Sequence, residues 1–145
     1  MSDLSERIVA EALDWVGTPY RHQGSTRGVG CDCLGLVRGV WRAVLGEEPE
    51  PAGAYHTDWL ASGEEILLDA ARRHCREKPV AAMRPGDLLV FRWRTGMSAS
   101  HCGIAVSAER FVHAYERHAV MLSWLAPSWR RRIAGVFAFP EPEQR

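Results

Sequence analysis

The chain has 145 residues, 46% of them hydrophobic, which is enough apolar material for one well-buried core. Lys and Arg together number 18, as do Asp and Glu, so the formal charge is zero and excludes a protein held to nucleic acid or anionic lipid by net charge. The apolar runs fall short of the ~18 residues that span a bilayer. The opening Met1-Ser2-Asp3-Leu4-Ser5-Glu6 shows no basic and then apolar leader pattern, so no secretory signal is expected. The four cysteines are not spaced like a small disulfide scaffold, which predicts free thiols and manufacture in a reducing compartment. Lys78 is the single lysine, a bias we read chiefly as genomic base composition.

In chain order, the first predicted element is an amphipathic helix. Asp3 is its expected N-cap, with Glu6 completing a capping box, and Ile8, Ala12, Trp15 and Val16 recur at helical spacing. Gly17-Thr18-Pro19 stops it, and Tyr20 to Gly30 reads as a glycine-bearing loop. A second helix begins near Asp32 or Cys33, carries the apolar stripe Leu36, Val37, Val40, Trp41 and Val44, and ends at Gly46. Residues 47–63 read as loop, with Tyr55 and Trp59 as its aromatics. Ser62 and Glu65 then predict a capping box for a third helix that runs until Lys78-Pro79. Beyond it the pattern turns to strands: Asp87 to Trp93, His101 to Val106, Phe111 to Tyr115, Val120 to Ser123 and Ile133 to Phe139. Helices first and adjacent strands later predict an α+β fold, with one domain over 1–140 and a short tail over 141–145.

The sharpest chemical feature is Gly30-Cys31-Asp32-Cys33-Leu34-Gly35-Leu36, where a loop meets the second helix. A thiol at a helix N-terminus faces unpaired backbone N–H groups and the positive end of the dipole, and both favour the nucleophilic thiolate. The bland alternative for Cys33 is a small buried cysteine. A base is available in the strand region. If Ser107-Ala108-Glu109 is a three-residue turn, Val106 pairs with Arg110 and Gly103 with His113, so His101 and His113 share a face as diagonal neighbours. One imidazole could then take the thiol proton while the other holds its tautomer. A two-residue turn would put them on opposite faces.

Four blocks resemble the NlpC/p60 cell-wall peptidases, in order and at fitting separations: Gly17-Thr18-Pro19-Tyr20-Arg21, Asp32-Cys33-x-Gly35-Leu36, His101-x-Gly103-Ile104 and Arg110-Phe111-Val112-His113-Ala114. Gly17 to Trp41, with Asp58-Trp59 and Trp129-Arg130-Arg131-Arg132, is similar more narrowly to the branch found in phage tails and gene transfer agents. The resemblance implies a papain-like fold, with the cysteine helix packed on a small antiparallel sheet. It implies cleavage of peptidoglycan stem peptides, usually from γ-D-glutamate to diaminopimelate. Carried over by position, Cys33 is the nucleophile, His101 the general base and His113 its orienting partner. Tyr20 would approach the cysteine and help stabilise the oxyanion, and Asp32 would shape the pocket for the stem peptide's amino end.

The chain departs from many relatives at Leu34, where they carry Ser, and at His22-Gln23-Gly24, where they carry Trp-Gly-Gly. No cofactor or metal is called for. Cys31, Cys33, Cys102, His101 and His22 make a poor zinc set, because Cys31-x-Cys33 is tighter than structural zinc spacing. Expected partners are peptidoglycan and the tip, hub or baseplate proteins of a phage-like tail. On that reading the protein is made in the cytoplasm, assembled into a particle, and acts in the wall of the target cell. A structural tail-tip component on the same fold is the other reading, and an amidase or acyltransferase a third. Trp15, Trp41 and Trp93 are assigned to the core, Trp59, Trp124 and Trp129 to loops, and Arg130-Arg131-Arg132 to a solvated or docking patch.

Overall fold

The computed structural model describes residues 2–51 and 64–142. Tyr55, Asp58, Trp59 and the Ser62 cap therefore lie outside the described residues. Helix α1 spans Asp3–Asp14. Its cap is Ser2, one residue earlier than predicted, whose Oγ accepts the Ser5 N–H at 3.1 Å. Asp3 and Glu6 fall instead in the first turn, where carboxylates favour the positive end of the dipole. Leu4, Ile8, Ala12 and Trp15 are buried, whereas Val16 faces solvent. The chain then reverses at Gly17, at φ +95°, and its N–H donates to the Val120 carbonyl at 2.8 Å.

The glycine-bearing loop holds a two-stranded ladder that the sequence did not predict, β1 (Ser25–Thr26) and β2 (Gly30–Cys31). Helix α2 follows over Cys33–Val44. Leu36, Val37, Val40 and Val44 are buried as expected, and Trp41 is half-buried beside them. Gly35 allows the helix to lie against the loop, since a Cβ there would collide with the Gly24 carbonyl oxygen.

Helix α3 spans Ile66–His74, and Glu65 makes no cap. Its carboxylate accepts instead from the Ala99 N–H at 2.9 Å and from Arg92 at 3.0 Å, tying the helix to the stretch that leads into the sheet's centre. The helix stops short of the predicted Lys78 because Arg76–Lys78 forms β3 on the sheet edge. The remaining elements are β4 (Leu88–Phe91), β5 (His101–Ala105), β6 (Arg110–Ala114), β7 (Val120–Trp124), a short helix α4 (Pro127–Arg130) and β8 (Ile133–Ala138).

Six strands form one antiparallel sheet in the order β3-β8-β4-β5-β6-β7, so the fold is α+β. Alternation along the central strands gives the sheet two apolar faces. Leu88, Val90, Cys102, Ile104 and Val112 pack with the helices, while Leu89, Phe91, Ala105, Phe111 and Val136 pack on the other side with Leu125 and Trp129. Burial of both faces explains why these strands read as continuous apolar runs. Lys78 at the end of β3 pairs with Asp87 at 2.8 Å, and both side chains are nearly buried. Among the described residues, no helix is long and apolar enough to cross a membrane.

Candidate active site

Cys33 is the first residue of α2 and half-buried. Asp32 holds it there: Oδ1 accepts the Gly35 N–H at 2.7 Å as the helix cap, and Oδ2 accepts the Gln23 N–H at 2.7 Å. The carboxylate thus fastens the helix end to the preceding loop. His22 Nδ1 lies 3.8 Å from Oδ2. The Cys33 Sγ is 3.8 Å from the Ser100 carbonyl oxygen, one residue before β5. The thiol of Cys102 and the ring of His101 both lie within hydrogen-bonding reach of this sulfur.

These neighbours draw the Cys33 thiol down to about 5. The largest effect is the hydrogen bond from Cys102, followed by the bond and positive charge of His101, which together outweigh burial. The remaining thiols go the other way. Cys102 is pushed up by its bond to Cys33 and by burial. Burial raises Cys31 and Cys75 to about 12. The four cysteines are all free, and only Cys33 is held as a thiolate at neutral pH.

The β5–β6 register joins Ile104 to Val112 and Ala105 to Phe111, which continues outward to the predicted opposition of Gly103 and His113. His101 and His113 share a face, with Nε2 of the first 2.9 Å from Nδ1 of the second. Gly103 makes that approach possible. A Cβ there would sit 2.7 Å from the Val112 carbonyl oxygen and 3.0 Å from the His113 Cβ. His113 Nε2 lies in turn 2.8 Å from Ser123 Oγ on β7. Full burial, with the His101 charge beside it, lowers the His113 pKa from 6.5 to about 3, so this ring is neutral at working pH.

Aromatic rings surround the pair. Trp93 stacks on His101 at 5.2 Å and 30°. Trp129 meets His113 edge-on at 5.1 Å, and Phe111 lies 4.3 Å from His113. Trp129 therefore packs over the histidines from α4, and is not a loop residue. The neighbouring arginines serve that helix: Arg130 donates to the Leu125 and Ala108 carbonyls, and Arg132 to those of Trp93 and Ser128. Two of the three arginines read as a docking patch thus fasten the aromatic cover. Tyr20 is half-buried and bridges in parallel to Cys31. Its phenol is raised chiefly by burial and next by the negative charge of Cys33, which places the two groups within electrostatic reach.

The structure thus brings Cys33, His101, His113, Tyr20 and Asp32 to one end of the sheet, around the start of α2. Sequence reasoning missed Ser123, Cys102, Ser100 and the stacking role of Trp93. Ser123 was readable only through the β6–β7 register, in which Phe111 opposes Ser123 and His113 opposes Met121. Among the described residues, no group of three or more His, Cys, Asp or Glu side chains is arranged to hold a metal ion.

The chain is 32% identical over 131 residues to a protein named murein DD-endopeptidase MepS/murein LD-carboxypeptidase from Escherichia coli K12, covering 90% of this chain and 60% of that one. It is 32% identical over 136 residues to the γ-DL-glutamyl hydrolase of Bacillus subtilis 168, covering 91% of this chain and 29% of that one. The chain thus spans less than two thirds of either relative. The crystal structure of the NlpC/p60 domain of the peptidoglycan hydrolase SagA superposes with a TM-score of 0.65 at 24% identity, covering 93% of this chain and 98% of that one, and so shares the fold. The sequence profile of the NlpC/P60 family matches residues 17–137, and the chain belongs to that family.

Proposed function

We propose that the protein is a cysteine peptidase that hydrolyses the stem peptides of peptidoglycan. The observation that carries this reading is a thiolate-forming cysteine at a helix N-terminus, within reach of an imidazole that is itself hydrogen-bonded to a second imidazole. Relatives named for murein endopeptidase and γ-DL-glutamyl hydrolase activity support the substrate class.

The reaction follows from the groups present. The Cys33 thiolate attacks the peptide carbonyl carbon, a C–S bond forms, and the carbonyl electrons move to oxygen. The backbone N–H of Cys33, free of an intrahelical partner at this position, and the Tyr20 hydroxyl are the donors for that oxyanion. As the C–N bond breaks, the His101 imidazolium delivers its proton to the leaving amine. A water then gives a proton to His101 while its oxygen attacks the thioester. The C–S bond breaks, releasing a carboxylic acid and restoring the thiolate–imidazolium pair. His113 Nδ1, 2.9 Å from His101 Nε2, holds the His101 ring in place throughout.

Within this reading, the bond cut is the one between γ-D-glutamate and diaminopimelate, and the protein acts at the tip of a phage-like tail on the wall of a target cell. The motif resemblance of Gly17 to Trp41 supports the tail assignment, together with Trp129-Arg130-Arg131-Arg132. Leu34, which stands where many relatives carry Ser and packs against the core, favours a substrate pocket more apolar than theirs. The test is incubation with purified sacculi, followed by mass spectrometry of the soluble products. Wild-type protein should release fragments ending in γ-D-glutamate, and Cys33→Ala should release none. Fragments cut at another bond would overturn the bond assignment, and full cleavage by Cys33→Ala would overturn the peptidase reading.

A further inference from the structure

We propose that Ser123 is a positioning residue of this site: its Oγ receives the Nε2–H of His113 and thereby keeps the His113 Nδ1 lone pair turned toward His101. This rests on the reading of Cys33 and His101 as nucleophile and base. Each neutral imidazole carries one N–H and one lone pair. His101 Nε2 is committed to His113 at 2.9 Å, so Nδ1 is the nitrogen left for Cys33. For Nδ1 to take the thiol proton, the resting proton of His101 must sit on Nε2 and point at a lone pair on His113 Nδ1. The single proton of His113 then belongs on Nε2, 2.8 Å from Ser123 Oγ.

Without the hydroxyl, the opposite arrangement takes over. His113 is fully buried, so an Nε2–H facing a methyl group would have no acceptor. The proton would move to Nδ1 and donate to His101 Nε2, leaving His101 protonated on the nitrogen that faces Cys33. A base in that tautomer accepts nothing from the thiol. When His101 is an imidazolium, its Nε2–H would likewise lose its acceptor, and the ion pair with the thiolate would weaken. Ring packing sharpens the dependence, because Phe111 at 4.3 Å, Trp129 at 5.1 Å and Tyr115 at 5.5 Å fix the plane of His113. The titratable groups facing His113 are His101 from β5 and Tyr115 beyond β6, while Cys102, Asp32 and Tyr20 act on Cys33. Ser123 itself never ionises and touches no reacting atom.

The experiment is the pH dependence of Cys33 alkylation by iodoacetamide, which needs no peptidoglycan. In Ser123→Ala the midpoint should rise by about one pH unit, and turnover of muropeptides should fall on the order of tenfold with KM unchanged. Ser123→Thr, which keeps the hydroxyl, should restore both. Imidazole 15N shifts of the wild type should show His113 protonated at Nε2, and those of Ser123→Ala at Nδ1. An unchanged alkylation midpoint and tautomer in a folded Ser123→Ala protein would overturn the proposal, whatever happened to its melting temperature. A wild-type midpoint near that of an ordinary thiol would instead sink the nucleophile reading. A shifted midpoint without muropeptide cleavage would refute only the substrate.

Discussion

Cys33 and Cys31 stand two residues apart, yet their surroundings separate their chemistry. Cys31 is wholly buried in β2, where no donor offsets the loss of water, and its thiol is pushed up to about 12. Cys33 receives a hydrogen bond from Cys102 and the charge of His101, and is drawn down to about 5. A thiolate with that pKa is fully formed above about pH 6 and is lost as the pH falls through 5. At pH 7, peptide mapping after brief iodoacetamide treatment should find label on Cys33 alone, with Cys31 and Cys75 unmodified. Equal labelling of Cys33 and Cys75 would contradict the electrostatic account. The place of Cys33 at the start of α2 was legible because the capping Asp32 and the apolar stripe that follows mark the helix start. Ser123 was not, because its partner lies a strand away and only the pairing of Phe111 with Ser123 brings it to His113.

At the scale of elements, long amphipathic segments were readable and short polar ones were not. Helix α2 begins at Cys33 and buries the predicted stripe except for the half-buried Trp41, since a 3.6-residue period repeated over three turns has no competing reading. By contrast, β3 is Arg76-Glu77-Lys78, whose charges read as a solvated helix end, although backbone pairing with β8 makes it a strand. The two-residue strands β1 and β2 lie below the length at which any alternation shows. Between α1 and α2, Gln23 adopts φ +64°. The left-handed region is strained for a side chain with a Cβ, so Gln23→Gly should raise stability by about 1 kcal/mol, partly offset by the greater freedom of glycine in the unfolded chain. Urea denaturation with an unchanged m-value would check this. A loss of stability would mean that the Gln23 side chain holds the loop more firmly than its backbone strains it.

Across the whole molecule, the site lies where the helical layer meets one end of the sheet, and its histidine pair packs against Phe91, Phe111 and Trp129 of the second apolar cluster. Stability is therefore linked to the protonation of His113. In the unfolded chain this ring takes up a proton near 6.5, and in the fold only near 3. Between those values the unfolded state binds more protons, so this contribution is complete above pH 6.5 and is lost as the pH falls toward 3. The wild type should lose a few kcal/mol between pH 6.5 and 4, followed by urea unfolding at each pH, and His113→Asn should lose less over the same interval. Equal slopes would show that the burial of this ring is relieved before unfolding. The ion pair at the sheet edge has a practical outcome of another kind. With its sole ε-ammonium clasped by Asp87 and its other cationic side chains guanidinium or imidazole, the protein offers amine-directed cross-linkers and succinimidyl dyes almost no side-chain target. Mapping its neighbours in an assembly will need carboxylate- or arginine-directed reagents instead.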